Sequence, residues 1–368
     1  MRQFKIAMAF VGIIIGAGFA SGQEMIQYFT SFGTWGIIGT LASIFIFGFF
    51  GFVIVDMGHY FKALSHRDVL EHVANPVVNR VIDIFLLLTL FGIGVVMVAG
   101  AGSNLNQQFG WPIWLGNLVC VALVFIVGLM DTNKVVDVIG AFAPFLITLV
   151  LIISFRSLTQ ADWDFSVLNT EATKLSSPLP NWWISTLNYG SVNLTTGVAT
   201  AFLLGGVEKD RKIARQGGLI GGIVVGVLIV LINLTLFATA SQVAAFDMPM
   251  LQMARLVQPW VGFIMSILIF FEIWNTAMSV LYSFSSSFVA PNKKNFRYVL
   301  FGVVAVAFVL SFGGFTNVIG FVYPAVGYGG FLILGFLVYA WYKNCIKNTA
   351  AKKDVAPTVE SLADTVEE

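Results

Sequence analysis

Residues 12–24 read Gly12-Ile13-Ile14-Ile15-Gly16-Ala17-Gly18-Phe19-Ala20-Ser21-Gly22-Gln23-Glu24. Four of these are glycines, and each glycine weakens a helix by about 1 kcal/mol relative to alanine. Yet the run lies inside the first apolar segment of the chain, where a continuous helix is the default way to satisfy the backbone. An unwound turn at bilayer depth frees N–H and C=O groups, which is tolerated only where protein, water or a ligand takes them up. Close helix packing on small residues is the simpler account of such glycines. The reading of this segment decides between an ordinary membrane bundle and one with a built-in central site.

The composition sets the solvent. Of the 368 residues, 58% are hydrophobic and 11% charged, with a mean hydropathy of +0.87. Soluble domains carry about 25% charged residues, so lipid must cover most of this surface. The net charge of +1 points to no nucleic-acid partner, and two cysteines, Cys120 and Cys345, form neither a disulfide framework nor a metal site. The first apolar run is not read as a cleavable leader, because a further span follows it directly.

A helix needs about 20 apolar residues to cross the hydrocarbon core. On that measure the sequence predicts an all-α integral membrane protein of ten spans, near 4–32, 34–57, 77–101, 111–130, 135–156, 182–205, 213–241, 259–288, 297–312 and 315–342. Cytoplasmic loops are enriched in Lys and Arg, which tests the count. With the N-terminus inside, only Arg156, Lys174 and Arg255 fall outside, leaving 17 of the 20 basic residues inside. Both termini are therefore placed in the cytoplasm and the chain in the cell membrane. Asp56, Asp83 and Asp137 read as interfacial groups at the inner ends of their spans, residues 242–258 as a short outer helix resting on the bundle, and residues 346–368 as a disordered cytoplasmic tail.

A second polar, glycine-bearing stretch lies mid-depth in the sixth span: Asn188-Tyr189-Gly190-Ser191-Val192-Asn193. Spans one and six each open a five-span half, residues 4–156 and 182–342. Interrupted segments in corresponding positions of two halves are the best sequence pointer to a transporter's central site. Helices one and six are accordingly expected to be discontinuous. Gly16, Ala17, Gly18, Phe19, Ala20, Ser21, Gly22 and Glu24 are then the candidate substrate contacts from the first break. Asn188, Tyr189, Gly190, Ser191 and Asn193 are those from the second. For Glu24, complementing the dipole of the helix it opens is the competing role.

In the eighth span, Glu272, Asn275, Thr276, Ser279 and Ser283 recur at i, i+3, i+4, i+7 and i+11, one helical face. Ionisable residues inside a bilayer are costly and face the bundle interior or a polar path. Glu272 lies about midway along its span with no Lys or Arg predicted at matching depth, which makes Glu272, beside Asn275, a candidate ion-coupling residue.

Gly-Ile-Ile-Ile-Gly-Ala-Gly-Phe at 12–19 resembles the first-helix motif of the amino acid–polyamine–organocation superfamily, and residues 206–215 resemble its inner loop after the sixth helix. The continuation Ala20-Ser21-Gly22-Gln23-Glu24 is similar to that of bacterial YkvI-type membrane proteins, over residues 1–345. The resemblance implies the LeuT-type 5+5 inverted repeat. It also implies a Na+ site formed by the carbonyls of Gly12 and Ile15 with the hydroxyls of Thr276 and Ser279. Span five lacks the mid-depth lysine of proton-coupled relatives, which favours sodium over a proton carried by Glu272. Ser-Gly-Gln-Glu replaces the hydrophobic-proline exit common in the superfamily. The function expected is secondary active transport of a small organic solute, an amino acid, an amine or a related compound, by alternating access. No organic cofactor is called for, only Na+ or H+ as coupling ion, with membrane lipid and the solute as partners. A transporter-like membrane sensor is the competing class. An enzyme would need a nucleophile–base pair at depth, and no Walker-type Gly-x-x-x-x-Gly-Lys-[Ser/Thr] occurs for ATP-driven transport.

Overall fold

The computed structural model describes residues 2–63, 68–69, 76–130 and 143–347, and every regular element among them is helical. The N-terminal part of the predicted fifth span with Lys134 and Asp137, most of the loop bearing His66 and His72, and the tail beyond 347 lie outside the described residues. In chain order the helices are α1 (Arg2–Ile14), α2 (Ala17–Ser21), α3 (Gln23–Tyr28), α4 (Thr34–Phe61), α5 (Pro76–Phe109), α6 (Ile113–Gly128) and α7 (Ala143–Gln160). They continue with α8 (Phe165–Ala172), α9 (Trp182–Val207), α10 (Arg211–Ala238), α11 (Ala240–Val243), α12 (Pro249–Val257), α13 (Pro259–Ser286), α14 (Phe296–Leu310) and α15 (Phe315–Trp341).

Seven of these are long and apolar enough to cross a membrane: α4, α5, α9, α10, α13, α14 and α15, the last two counted with the short turns that follow them. Large side chains such as Phe45, Phe155, Phe321 and Leu332 are largely exposed, as a lipid-facing surface requires. This is a multi-pass membrane protein.

Local chemistry marks the helix ends. Pro249 and Pro259 open α12 and α13 at the first helical position, where a missing N–H costs nothing. Asp210 caps α10 by accepting from the Lys212 and Ile213 amides at 2.8 and 3.3 Å, and Asn181 caps α9 through the Ile184 amide. Such caps matter because the first four N–H groups of a helix have no internal partner.

Two packed groups of helices make the body. In one, α1, α4, α9 and α10 pack on one another; in the other, α5 carries α6, α13 and α14. Helix α15 touches both α9 and α5. The α4–α10 contact is backbone against backbone: a side chain placed on Gly51 would meet the Gly218 carbonyl, one on Gly218 the Gly51 carbonyl, and one on Gly222 the Phe47 carbonyl. Small residues at four-residue spacing allow that approach, which gives membrane helices their dispersion contacts where no hydrophobic effect separates lipid from protein.

Asp56, expected at the inner end of its span, packs inside the protein. It is fully buried and accepts from Arg211 Nε at 2.7 Å, Arg211 and Arg215 Nη2 at 3.1 and 2.9 Å, and Trp341 Nε1 at 2.9 Å. A buried carboxylate is stable only when paired and hydrogen-bonded in this way. The network joins α4, α10 and α15, while Arg2 reaches Glu208 at 3.0 Å and ties the N-terminal helix to the same face.

At the opposite face, residues 242–258 settle onto the bundle with Pro249, Met250, Leu251, Met253 and Ala254 of α12 buried. Asp247 accepts from Ser103 and Thr316 hydroxyls at 2.8 and 2.7 Å. Gln107 brackets the Met248 backbone, donating to its carbonyl and accepting from its amide.

Candidate functional site

The first apolar segment is jointed in two places. Helix α1 ends at Ile14, and Gly16 is extended, with φ −112° and ψ −170°, before α2 begins. A left-handed Gly22 (φ 81°) then separates α2 from α3. Gly22 is required twice over: its φ lies where L side chains rarely go, and a Cβ there would sit 2.9 Å from Met250 Cγ. Ser21 staples this joint, donating to the Gly18 carbonyl at 2.7 Å and accepting from the Gln23 amide at 3.1 Å.

The sixth apolar segment differs from the expectation. Helix α9 runs unbroken from Trp182 to Val207, so the predicted discontinuity near 188–196 is absent. Its polar side chains serve docking. Asn188 donates to the Pro324 carbonyl at 3.1 Å and accepts from the Tyr28 hydroxyl at 3.1 Å, and Ser191 donates to the Gly327 carbonyl at 2.9 Å. Gly190 faces Ile46. Polarity at mid-depth here fixes α9 to α15 without opening the backbone.

Between the two helix groups lies a cavity of about 290 Å³, near the lower end of the range for small-molecule sites. From the jointed segment it is lined by Gly12, Ile15, Gly16, Gly18, Phe19 and Glu24. From α13 come Glu272, Asn275, Thr276 and Ser279, four members of the predicted stripe. From α9 come Val192, Asn193 and Thr196, from α5 Ile93 and Met97, and from α15 Tyr323. The expected cation ligands Gly12, Ile15, Thr276 and Ser279 thus share one space with Glu272 and Asn275. Ala20, Ser21, Gly22, Asn188, Tyr189, Gly190 and Ser191 do not line it; they hold the elements that do.

The two carboxyl groups of the cavity have unlike surroundings. Glu24, 3% exposed in the first turn of α3, accepts from the Tyr189 hydroxyl at 3.2 Å, and Tyr323 turns its hydroxyl to the same carboxyl. Its Oε1 fills the place a Cβ on Gly18 would need. Behind it, Tyr189 packs against Tyr28 and Phe29 with ring centroids 5.2 Å apart in each case. Glu272 is 6% exposed, and its Oε2 is buried with no hydrogen-bond partner among the described residues.

Sequence reasoning missed Tyr323, Ile93, Met97 and Thr196. The only local signal was Pro324 within the last apolar segment. A proline there removes one backbone donor, and its carbonyl is the acceptor for Asn188.

No family model matches the chain. It is 27% identical over 335 residues to the uncharacterized membrane protein YkvI of Bacillus subtilis (strain 168), covering 91% of this chain and 94% of that protein. YyaD of the same organism, also uncharacterized, is 26% identical over 327 residues, covering 88% and 92%. Among solved structures the fold is similar to inward-facing Mhp1, with a TM-score of 0.60 at 12% identity, covering 92% of this chain and 76% of Mhp1. MhsT in complex with L-phenylalanine gives 0.59 at 15% identity, covering 91% and 86%. A Na+-coupled sialic acid symporter gives 0.56 at 14% identity, covering 93% and 87%. Similar nearly end to end to two bacterial relatives, one of them a membrane protein, and superposable on these solved structures, the chain is a membrane protein, helical throughout its described residues, with the LeuT-type fold.

Proposed function

We propose that this protein is a secondary active transporter of a small organic solute, coupled to sodium and working by alternating access. The observation that carries the reading is the shared cavity. A glycine joint and a hydroxyl-bearing helix face come together between two separately packed helix groups, where a solute contacting both groups favours one arrangement over another. Carbonyls of Gly12 and Ile15 with hydroxyls of Thr276 and Ser279 are hard oxygen donors suited to Na+. That similar folds include a Na+-coupled sialic acid symporter and a protein in complex with L-phenylalanine supports the reading.

Seven long helices, the shorter apolar segments Ile113–Gly128 and Pro144–Gln160, and the jointed first segment make the ten spans of two inverted repeats, residues 4–156 and 182–342, in the cell membrane. The basic-residue asymmetry puts both termini in the cytoplasm. Cysteine placed at Thr170 should react with an impermeant maleimide added to intact cells, and cysteine placed at Lys209 only after the membrane is opened. Both positions are exposed and both native cysteines buried. The reverse pattern overturns the topology.

A proton carried by Glu272 in place of sodium is the second reading, favoured by its Oε2, buried without a partner among the described residues. Uptake of labelled amino acids and amines into proteoliposomes, with sodium and pH gradients imposed separately, divides the two. Under sodium coupling, Thr276→Val raises the half-maximal sodium concentration about tenfold or more, the scale of one lost polar partner. Sodium and solute then tighten each other's binding by the same factor. Under proton coupling, uptake ignores sodium and collapses in Glu272→Gln. Uptake indifferent to both gradients leaves the sensor reading in place of coupled transport.

A further inference from the structure

The cavity's charge is one-sided. Among the described residues its lining holds two carboxyl groups, Glu24 and Glu272, and no lysine, arginine or histidine. Glu24 is spoken for by tyrosine hydroxyls. Glu272 is not: it lines the cavity, and its Oε2 is buried with no hydrogen-bond partner among the described residues. A buried acceptor left unmade is expensive, and more so when charged. Of the other polar groups in the lining, Thr276 and Ser279 are the proposed sodium ligands, while the Asn193 and Asn275 amides and the Thr196 hydroxyl can present oxygen to a donor. Asn193 already spends its Nδ2 on the Tyr189 carbonyl at 3.0 Å. The other walls are apolar: Ile15, Phe19, Ile93, Met97 and Val192.

We propose that the solute is a small amine bound in its ammonium form, with the ammonium on Glu272 and an apolar body against Ile93, Met97 and Phe19. The proposal deepens the transport reading, since it names the solute class of that same cavity. An ammonium brings donors and no acceptor, which is what an acceptor-rich wall without a cation lacks. An amino acid of the same body adds a carboxylate beside two carboxyl groups in a low-dielectric space, where like charges repel strongly. The site therefore discriminates against the amino acid by repulsion as well as choosing the amine by attraction. A bare metal ion satisfies the carboxyl groups but leaves the apolar walls without a function.

Three matched probes test this on the purified full-length chain in detergent with sodium present: isopentylamine, leucine and isocaproate, which share one branched body. Titration calorimetry should show isopentylamine binding at least about tenfold more tightly than leucine, the scale of one charge-assisted partner, and isocaproate not at all. Isopentylamine should also protect Glu272 from dicyclohexylcarbodiimide, read by peptide mass spectrometry, and Glu272→Gln should lower its affinity about tenfold or more. The probe comparison and the protection assay use the unaltered protein, so they stand if the variant does not fold. Leucine binding as tightly as the amine overturns the proposal, as does carbodiimide labelling that the amine leaves unchanged. So does tight binding of Mn2+ with none of isopentylamine, phenethylamine or putrescine, which makes the site a metal site. Amine binding without gradient-driven uptake in proteoliposomes fails the transport reading instead and leaves the amine class intact.

Discussion

Gly222→Leu is expected to yield no folded protein. Gly218, Gly222 and Gly226 lie on one face of α10 at four-residue spacing, and a Cβ on Gly222 would fall on the Phe47 carbonyl and 2.7 Å from the Gly48 nitrogen. Overpacking an ordinary core costs about 1–3 kcal/mol, because side chains change rotamer and neighbours shift. Here both contacting surfaces are helix backbone, with no rotamer to change, so α4 and α10 must separate along their length. Detergent extracts analysed by fluorescence-detected size exclusion should show aggregate in place of a monodisperse peak. Gly302→Leu is the matched control: its Cβ meets nothing within 4 Å, and its peak should be unchanged. A normal peak for Gly222→Leu refutes the close α4–α10 contact.

The second large effect separates two glycines of one motif. Gly18→Ala places a methyl group where Glu24 Oε1 now lies. The obstacle is the far end of a side chain, so the fold survives while the carboxyl group is driven off the tyrosine hydroxyls. Misplacing a contact group by about 1 Å can cost on the order of a hundredfold, and uptake should fall by that order with the size-exclusion peak unchanged. Gly16→Ala has open space around its Cβ and a backbone open to any residue; its size-exclusion peak should be unchanged and its uptake should fall far less than that of Gly18→Ala. Equal losses in both variants mean that helix packing, and not the Glu24 carboxyl group, sets the role of this motif.

The fold class was legible because its signals are local or one-dimensional. Apolar runs report a lipid solvent, and clustered glycines report the joint between Ile14 and Ala17. The α13 stripe was legible for the same reason: helical periodicity alone puts Glu272, Asn275, Thr276 and Ser279 on one face, and these four line the cavity. The unbroken α9 was not legible, because a polar, glycine-bearing helix reads alike whether its side chains rescue a broken backbone or grip a neighbour. Asn188 and Ser191 find their acceptors on α15, 136 residues away, a distance no pattern encodes. The ion pairs of Asp56 were not legible for the same reason, since its arginines lie 155 and 159 residues along the chain. Tyr323 was missed because a tyrosine in an apolar helix is ordinary until a carboxyl group 299 positions earlier in the numbering turns out to face it.

Helix α9 is a single rod held to α15, whereas the first segment is three short pieces joined at Gly16 and Gly22. Mechanically this is a hinge with one articulated arm and one fixed post. Alternating access as proposed would then need only a few backbone torsions on either side of α2, with the post as their reference. If the chain works by alternating access, a tight ligand that wedges between Gly16 and Asn193, both on the cavity wall, should hold the arm against the post in a single pose for structural work.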